Sequence, residues 1–375
     1  MRKNILILSH SDATQFIDIV NQYAQLFDKS QYEVTVAYLT GTPNEQSRQR
    51  TIAENILFLN VPKKKIRYLK IGAIKQLLSL CRQKNYHVVI CHRYKPAYIM
   101  LWVAQFIRIP LLVFVMHELG TMRARGRQLL ISALAKKNTL FAGVSNAVRD
   151  DIRRSLSRIP QDRIVTLYNM MDTENSEKNL FSREEARKAL RLPEDVFVFG
   201  HIGRLAINKD QTTLIKAFES IKQHYPRAKL VIAGDGELEH ALKNQANQAG
   251  LANDIFFTGF LPHAYRYMKA FDCFVLSSIQ EAFGRVLIEA MIAKLPIIAT
   301  QVNGIPEVIH DTGLLITPNH VTQLFDAMKY ICDSSSHERN AWGEKAYQRV
   351  IQHFSAPAFH QQFWSLYENR IHHGF

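Results

Sequence analysis

Glu281-Ala282-Phe283-Gly284-Arg285-Val286-Leu287-Ile288-Glu289 follows a short apolar run, 273–276, and carries a carboxylate at each end. The run reads as a buried strand and the residues after it as a turn into a helix, the unit from which parallel α/β sheets are assembled. On a helix rising about 1.5 Å per residue, the six steps from Phe283 to Glu289 cover about 9 Å. Between the two glutamates, the helix N-terminus offers free N–H groups and the positive end of a dipole. The arrangement suits a ligand that is anionic in its middle and hydroxylated at both ends. Glutamates at this spacing are common on any surface, so the neighbouring segments decide the reading.

The same alternation of apolar run and amphipathic stretch extends outward in both directions. Runs at 196–202, 229–233, 255–258, 273–276, 296–300 and 313–316 predict strands, with helices over 211–224, 237–249, 264–269, 283–294, 305–309 and 320–334. The first half predicts strands at 4–8, 33–38, 87–91, 111–115, 140–144 and 163–167, with helices such as 12–27 and 72–84. The expected fold class is α/β, with two facing Rossmann-like doubly wound domains whose ligands sit in a cleft at the strand carboxyl ends. The domains are placed at 1–172 and 173–355, with the polar stretch 172–182 as a linker. In the tail, 356–375, Phe359, Phe363, Trp364 and Tyr367 recur at helical spacing, as a face that docks back towards the first domain.

Composition narrows the class. A chain of 375 residues, 47% hydrophobic and 21% charged, is a globular protein too long for one core. Its four cysteines are scattered without a C-x-x-C pair, as expected of buried thiols in a reducing compartment. The apolar run at 5–8 is too short for a signal-peptide core and suits a first strand. Residues 97–116 are long and apolar enough to suggest a membrane span, but Arg108 and Pro110 split them into a buried helix and a strand. Charge is lopsided: 1–172 holds 26 Lys and Arg against 11 Asp and Glu, and 173–375 holds 21 against 22. The basic runs include Lys63-Lys64-Lys65-Ile66-Arg67, Arg123-Ala124-Arg125-Gly126-Arg127 and the arginines from Arg149 to Arg158. A basic domain beside a neutral one implies attraction to an anionic surface or polymer. Aromatic residues are not interleaved with the basic runs as in nucleic-acid modules, so the anionic inner leaflet of a membrane is the expected partner and nucleic acid is not.

Four motifs carry chemistry. Gly203-Arg204-Leu205, followed by Lys209, leaves the strand at 196–202 with two cations able to meet one polyanion. Gly234-Asp235-Gly236-Glu237 is a strand-to-helix glycine turn that lacks the full dinucleotide pattern. The double-glutamate stretch is the third, and Asn303-Gly304-Ile305-Pro306-Glu307, a turn into a helix, is the fourth. Together with Phe257-Thr258-Gly259-Phe260 and Phe271-Asp272-Cys273-Phe274, these segments occur in one order that resembles the donor domain of the family-4 retaining glycosyltransferases, which have the GT-B fold. The resemblance is close over 196–317. In the first half it rests on Val144-Ser145-Asn146 and Asn169-Met170-Met171-Asp172.

The resemblance implies a metal-independent, retaining hexosyltransferase with no cofactor beyond its co-substrate, a nucleotide-diphosphate sugar such as UDP-glucose. Its acceptor would be a glycolipid or polysaccharide, of lipopolysaccharide-core or capsule type, and its place the cytoplasmic face of the inner membrane. Gly203, Arg204 and Lys209 would hold the donor diphosphate, and Glu289 the ribose hydroxyls. Glu281 would lie against the transferred sugar, with the N–H groups of Phe283, Gly284 and Arg285 reaching sugar and phosphate. His117 matches a histidine of the family's active site, so Glu281 and His117 are the catalytic candidates. No metal site is expected, since no Asp-x-Asp occurs. The chain departs from the family at Ser9-His10-Ser11-Asp12-Ala13-Thr14, where relatives carry glycines, and at Asp210 and Lys294. Two other readings compete: a nucleotide-sugar epimerase of the same fold, and a non-catalytic binder of anionic polymers. The sequence is silent on oligomeric state.

Overall fold

The computed structural model describes residues 2–62 and 70–372, with the side chains of residue 15 and of 369–372 left aside. The chain divides into two compact units, 1–170 together with 359–375, and 171–358.

The first unit is a seven-stranded parallel sheet. Its strands are β1 Lys3–Ser9, β2 Tyr32–Tyr38, β3 Asn55–Phe58, β4 Tyr86–His92, β5 Leu111–Met116, β6 Thr139–Gly143 and β7 Ile164–Thr166. They lie in the order β3-β2-β1-β4-β5-β6-β7. Ile5–Leu8, Val88–Cys91 and Val113–Met116 are completely buried, because helices cover both faces of such a sheet and its strands therefore read as continuous apolar runs. The strand at 55–58 escapes the sequence reading. It has four half-buried residues at the sheet edge, too few to announce a period. Residues 97–116 resolve into the end of the helix Tyr94–Val103, a turn, and β5. Among the described residues no helix is long and apolar enough to cross a membrane.

The second unit is a six-stranded parallel sheet of β8 Val198–Ile202, β9 Lys229–Ala233, β10 Ile255–Gly259, β11 Cys273–Leu276, β12 Ile297–Thr300 and β13 Leu314–Ile316. The order is β10-β9-β8-β11-β12-β13. In each unit the strand order reverses once, between β1 and β4 and between β8 and β11. At such a switch point two loops diverge to opposite faces and leave a crevice at the carboxyl ends.

One sequence expectation is corrected and another is made more specific. Residues 172–182 are not a bare linker: Asp172 caps the helix Thr173–Lys178, accepting from the Asn175 N–H at 3.0 Å, and Ser182 and Glu185 close a capping box on the helix Arg183–Ala189. Glu174, which reads as linker polarity, is a first-turn residue beside a helix N-terminus, where its charge is favourable. The segment at 264–269 is a 3-10 helix, Ala264–Ala270. In the tail helix Ala356–His372, Phe359 meets Tyr23 edge-on at 5.0 Å and Phe363 meets Phe27 at 5.7 Å. Trp364 donates its indole N–H to the Leu26 carbonyl at 3.3 Å. The aromatic stripe is thus a packing face of the first unit.

Candidate functional site

In the second unit, the loops that leave β8 and β11 at the switch point are joined along their backbones. The Asn208 carbonyl accepts the Ile279 N–H at 2.9 Å, and the Lys209 carbonyl accepts the Ser277 hydroxyl at 3.0 Å. This brings the Lys209 ammonium onto the Glu281 carboxylate, both side chains being mostly buried, with the Ser278 hydroxyl also donating to Glu281 at 3.4 Å. The sequence assigned these two residues to different parts of a ligand. The structure makes them an ion pair.

Glu281 is braced from the other side. Its N–H reaches Asn303 Oδ1 at 3.3 Å, and its carbonyl accepts the Gly304 N–H at 3.1 Å. The Asn303-Gly304 turn, read as a wall, is therefore a support for Glu281. Gly284 follows at the N-cap of the helix Arg285–Ile292, with φ +88 and no side-chain cap. A Cβ placed there would stand 3.5 Å from the Glu281 Cγ, so the carboxylate arm lies along the uncapped helix start. Phe283 is buried against Phe354, 5.6 Å between rings, and fixes the turn. Arg285 has its Nε buried with no hydrogen-bond partner. Glu289 sits one turn along, half-buried.

Arg204 is exposed, but its backbone is not free to wander. Its carbonyl accepts from Gln211 Nε2 at 3.0 Å, and the same amide nitrogen lies 3.1 Å from His201 Nε2; both side chains are fully buried. Gly203 donates to the Ala233 carbonyl at 2.9 Å and Leu205 to the Asp235 carbonyl at 2.7 Å, so the 203–205 and 233–236 loops lie in direct contact. Gly234, at φ +139, permits this: a Cβ there would come within 2.0 Å of the Gly203 oxygen. The glycine turn read as a weak nucleotide signal is in fact the bed on which Gly203 and Arg204 rest.

Both second-unit departures from the family pattern occupy left-handed backbone, the conformation that glycine supplies without strain. Asp210, at φ 49, is also the N-cap of the helix Gln211–His224 and accepts from the Thr213 N–H at 3.3 Å. Its charge is thereby turned towards that helix. Lys294, at φ 58, pairs with Glu344 at 2.7 Å and lies over the Tyr347 ring at 4.5 Å. In the loop 9–14 of the first unit, Asp12 takes the anchoring role, accepting from Asn44 at 2.8 Å and Ser47 at 2.9 Å.

His117 belongs to the first unit, directly after β5. Its Nε2 is 3.1 Å from Nδ1 of His92, the last residue of β4. It lines a pocket of about 600 Å³ with His10 and Arg93, each the first residue beyond its strand, and with Lys70, Lys95 and Arg127. His92 was invisible as a site residue because it closes an apolar strand and looks like core. The run at Lys63–Arg67 lies outside the described residues. Among the described residues, no three His, Cys, Asp or Glu side chains are grouped to hold a metal ion.

Burial holds two imidazoles neutral. His92 is pushed down from 6.5 to about 3 by burial. His201 goes to about 4, by burial first with Lys209 adding to it, against the hydrogen bond that its ring donates to the Val275 carbonyl. Unfolded, both rings protonate below about pH 6.5, while the folded rings stay neutral until the lowered values are reached. Their contribution to stability is therefore full above pH 6.5 and is lost as pH falls towards 4 and 3. The slope approaches about 1.4 kcal/mol per pH unit for each ring. The melting temperature is expected to fall steadily from pH 7 to 4, and less steeply in His92→Gln. Identical slopes in the two proteins would contradict the assignment for His92.

A model of "Glycosyl transferases group 1" matches residues 182–349, and one of "Glycosyltransferase Family 4" matches 19–175. The chain is similar to the uncharacterized glycosyltransferase MJ1059 of Methanocaldococcus jannaschii, 39% identical over 32% of this chain and 30% of that one. It is also similar to the N-acetylgalactosamine-N,N'-diacetylbacillosaminyl-diphospho-undecaprenol 4-alpha-N-acetylgalactosaminyltransferase of Campylobacter jejuni, 26% identical over 86% and 84%. The matched stretches span 30% and 46% of the length of the first curated relatives. Anabaena HepE, solved with UDP and with UDP-glucose, superposes on 99% of this chain with a TM-score of 0.78 in the UDP complex, at 20% identity and 100% coverage of that chain.

Proposed function

Since the chain belongs to the family-4 glycosyltransferases of GT-B fold, we propose that it moves a hexose, with retention, from a nucleotide-diphosphate sugar to a hydroxyl of a membrane-associated glycolipid or polysaccharide. UDP-glucose is the first donor to test, and lipopolysaccharide core or capsule the first acceptor class. The observation that carries the reading is the Lys209–Glu281 pair held against an uncapped helix start at the β8/β11 switch point.

The chemistry follows from where charge develops. Breaking the sugar–phosphate bond leaves an oxocarbenium-like sugar and an anionic diphosphate. Arg204, Lys209 and the helix N-terminus stabilise that diphosphate, with Gly203 setting the turn that presents Arg204 and the N–H groups of Phe283, Gly284 and Arg285 as further donors. Glu281, already holding Lys209, keeps its carboxylate beside the sugar and steadies positive charge there. Glu289 accepts from the ribose hydroxyls. His117, hydrogen-bonded to neutral His92, remains the catalytic candidate of the first unit. The departing phosphate oxygen takes the proton of the acceptor hydroxyl as the hydroxyl oxygen bonds to the anomeric carbon from the face on which the sugar–phosphate bond breaks. We assign the leaving-group charge to these protein groups and not to a divalent ion, so EDTA is expected to leave turnover unchanged. A loss restored by magnesium would overturn that assignment.

Support for a membrane-bound acceptor comes from the first unit. It carries the excess positive charge, and it exposes Ile71, Phe106 and Leu129 by more than half. The Campylobacter relative is named for a diphospho-undecaprenol substrate. Sedimentation with anionic liposomes, weakening as salt rises, is expected. Indifference to lipid charge would point to a soluble acceptor.

A thermal-shift screen of UDP, GDP and ADP tests the donor reading, since a ligand that prefers the native state raises its melting temperature. UDP is expected to give the largest shift, and no shift from any of the three would refute the reading. Glu289→Ala is expected to raise the donor KM by about 10–100-fold, the worth of hydrogen bonds to a charged group, with a smaller change in kcat. An unaltered KM would remove Glu289 from the ribose.

A further inference from the structure

The pocket in the first unit differs from an ordinary basic surface in what holds its cations. Lys70 lies over the Tyr98 ring, 3.8 Å from its centre, and Arg127 over the Tyr94 ring at 4.3 Å. Arg127 also donates to the Thr121 carbonyl at 2.6 Å. Aromatic faces and a carbonyl hold these side chains at the pocket. Glu118, the one carboxylate lining the pocket among the described residues, is engaged by Arg93 at 3.0 Å. Lys70 is pushed below its ordinary value by burial first, and then by the charges of Lys95 and Arg127. The cations therefore crowd one another, a cost that a bound anion removes.

The backbone adds to this. The helix Tyr94–Val103 starts at the pocket with Arg93 as N-cap, at φ 72, and without a side-chain cap. Pro96 carries no N–H, so the first-turn donors beside the pocket are those of Tyr94 and Lys95. His10, Arg93 and His117 leave β1, β4 and β5 at the switch point of this sheet, where open α/β sheets take their ligands. At about 600 Å³ the pocket has room for more than one phosphate group.

We propose that this pocket, through Lys70, Lys95, Arg127 and the start of the helix Tyr94–Val103, binds a phosphate or diphosphate group carried by the acceptor. The inference rests on the transferase reading above and deepens it: the acceptor is a phosphorylated saccharide or a lipid diphosphate, and the cations recognise its phosphate. Two probes separate the sources, glucose 6-phosphate for a soluble sugar phosphate and farnesyl diphosphate for a lipid diphosphate.

Each probe is titrated calorimetrically into the full chain, into Lys70→Gln/Lys95→Gln, and into Lys70→Arg/Lys95→Arg, which keeps the charge. Lys95 is exposed, so the changes leave the core untouched. At least one probe is expected to bind, about 10–100-fold more weakly to the glutamine variant, with recovery in the arginine variant. The tighter probe identifies the source. Absence of binding by both probes, or equal affinity in the wild type and the glutamine variant, overturns the proposal. UDP titrated into the wild type and into Arg204→Gln tests the donor site separately. Loss of that arm alone would count against the donor reading and not against the pocket.

Discussion

Arg204→Ala is expected to lower kcat by about 100–1000-fold at saturating donor, the cost of removing one preorganised donor from a developing anion. The effect falls on turnover because the leaving diphosphate gains charge in the transition state, and only interactions that strengthen there accelerate the step. The geometry favours this outcome over a simple loss of binding. Gln211 grips the Arg204 carbonyl, and Gly203 and Leu205 are tied to the 233–235 loop, so the guanidinium swings from a fixed backbone point. The side chain is exposed, so folding should be unaffected. Arg204→Lys keeps the charge but loses the fork, and is expected to recover part of the rate. A fall in kcat of less than about tenfold in Arg204→Ala would remove this residue from the leaving-group site.

Gly234→Ala is the second large effect, and it couples stability to catalysis. The new methyl would stand 2.0 Å from the Gly203 oxygen, on a backbone at φ +139 that L residues rarely adopt. Strain of this kind costs about 1–3 kcal/mol before any clash is counted, so a loss of about 3 kcal/mol or more is expected by chemical denaturation. Relief can come only from moving the 203–205 loop, which carries Arg204, so the folded fraction should also turn over slowly. Gly250→Ala serves as the control. It too has positive φ, +70, but no atom stands within 4 Å of its would-be Cβ, and it should cost about 1 kcal/mol with normal kcat. Equal losses in the two variants would mean that backbone strain, not loop contact, explains Gly234.

These two residues also show what the sequence revealed and what it hid. Strands such as Lys229–Ala233 and Cys273–Leu276 were legible because both faces of a parallel sheet are buried, which writes an unbroken apolar run. Gly203 and Arg204 were legible because they follow such a run directly. Contacts between loops distant in the chain were not. Nothing in the linear order says that Lys209 meets Glu281, that Gln211 holds Arg204, or that Gly234 lies under Gly203. His92 and His201 were hidden for a different reason: each sits inside an apolar strand, where a buried neutral imidazole gives no local signal. The pocket cations were the least legible, because Lys70, Lys95 and Arg127 come from three separate helix starts. The charge count showed the excess of the first half but not where it gathers.

The central claim is that the β8/β11 switch point grips the activated sugar by its diphosphate and its ribose. A crystal structure of the protein with UDP-glucose tests it most directly. The expected result places the diphosphate within hydrogen-bonding distance of Arg204, Lys209 and the N–H groups at the start of the helix Arg285–Ile292, with the ribose hydroxyls on Glu289. A nucleotide bound with its phosphates away from Arg204 and its ribose away from Glu289 would contradict it.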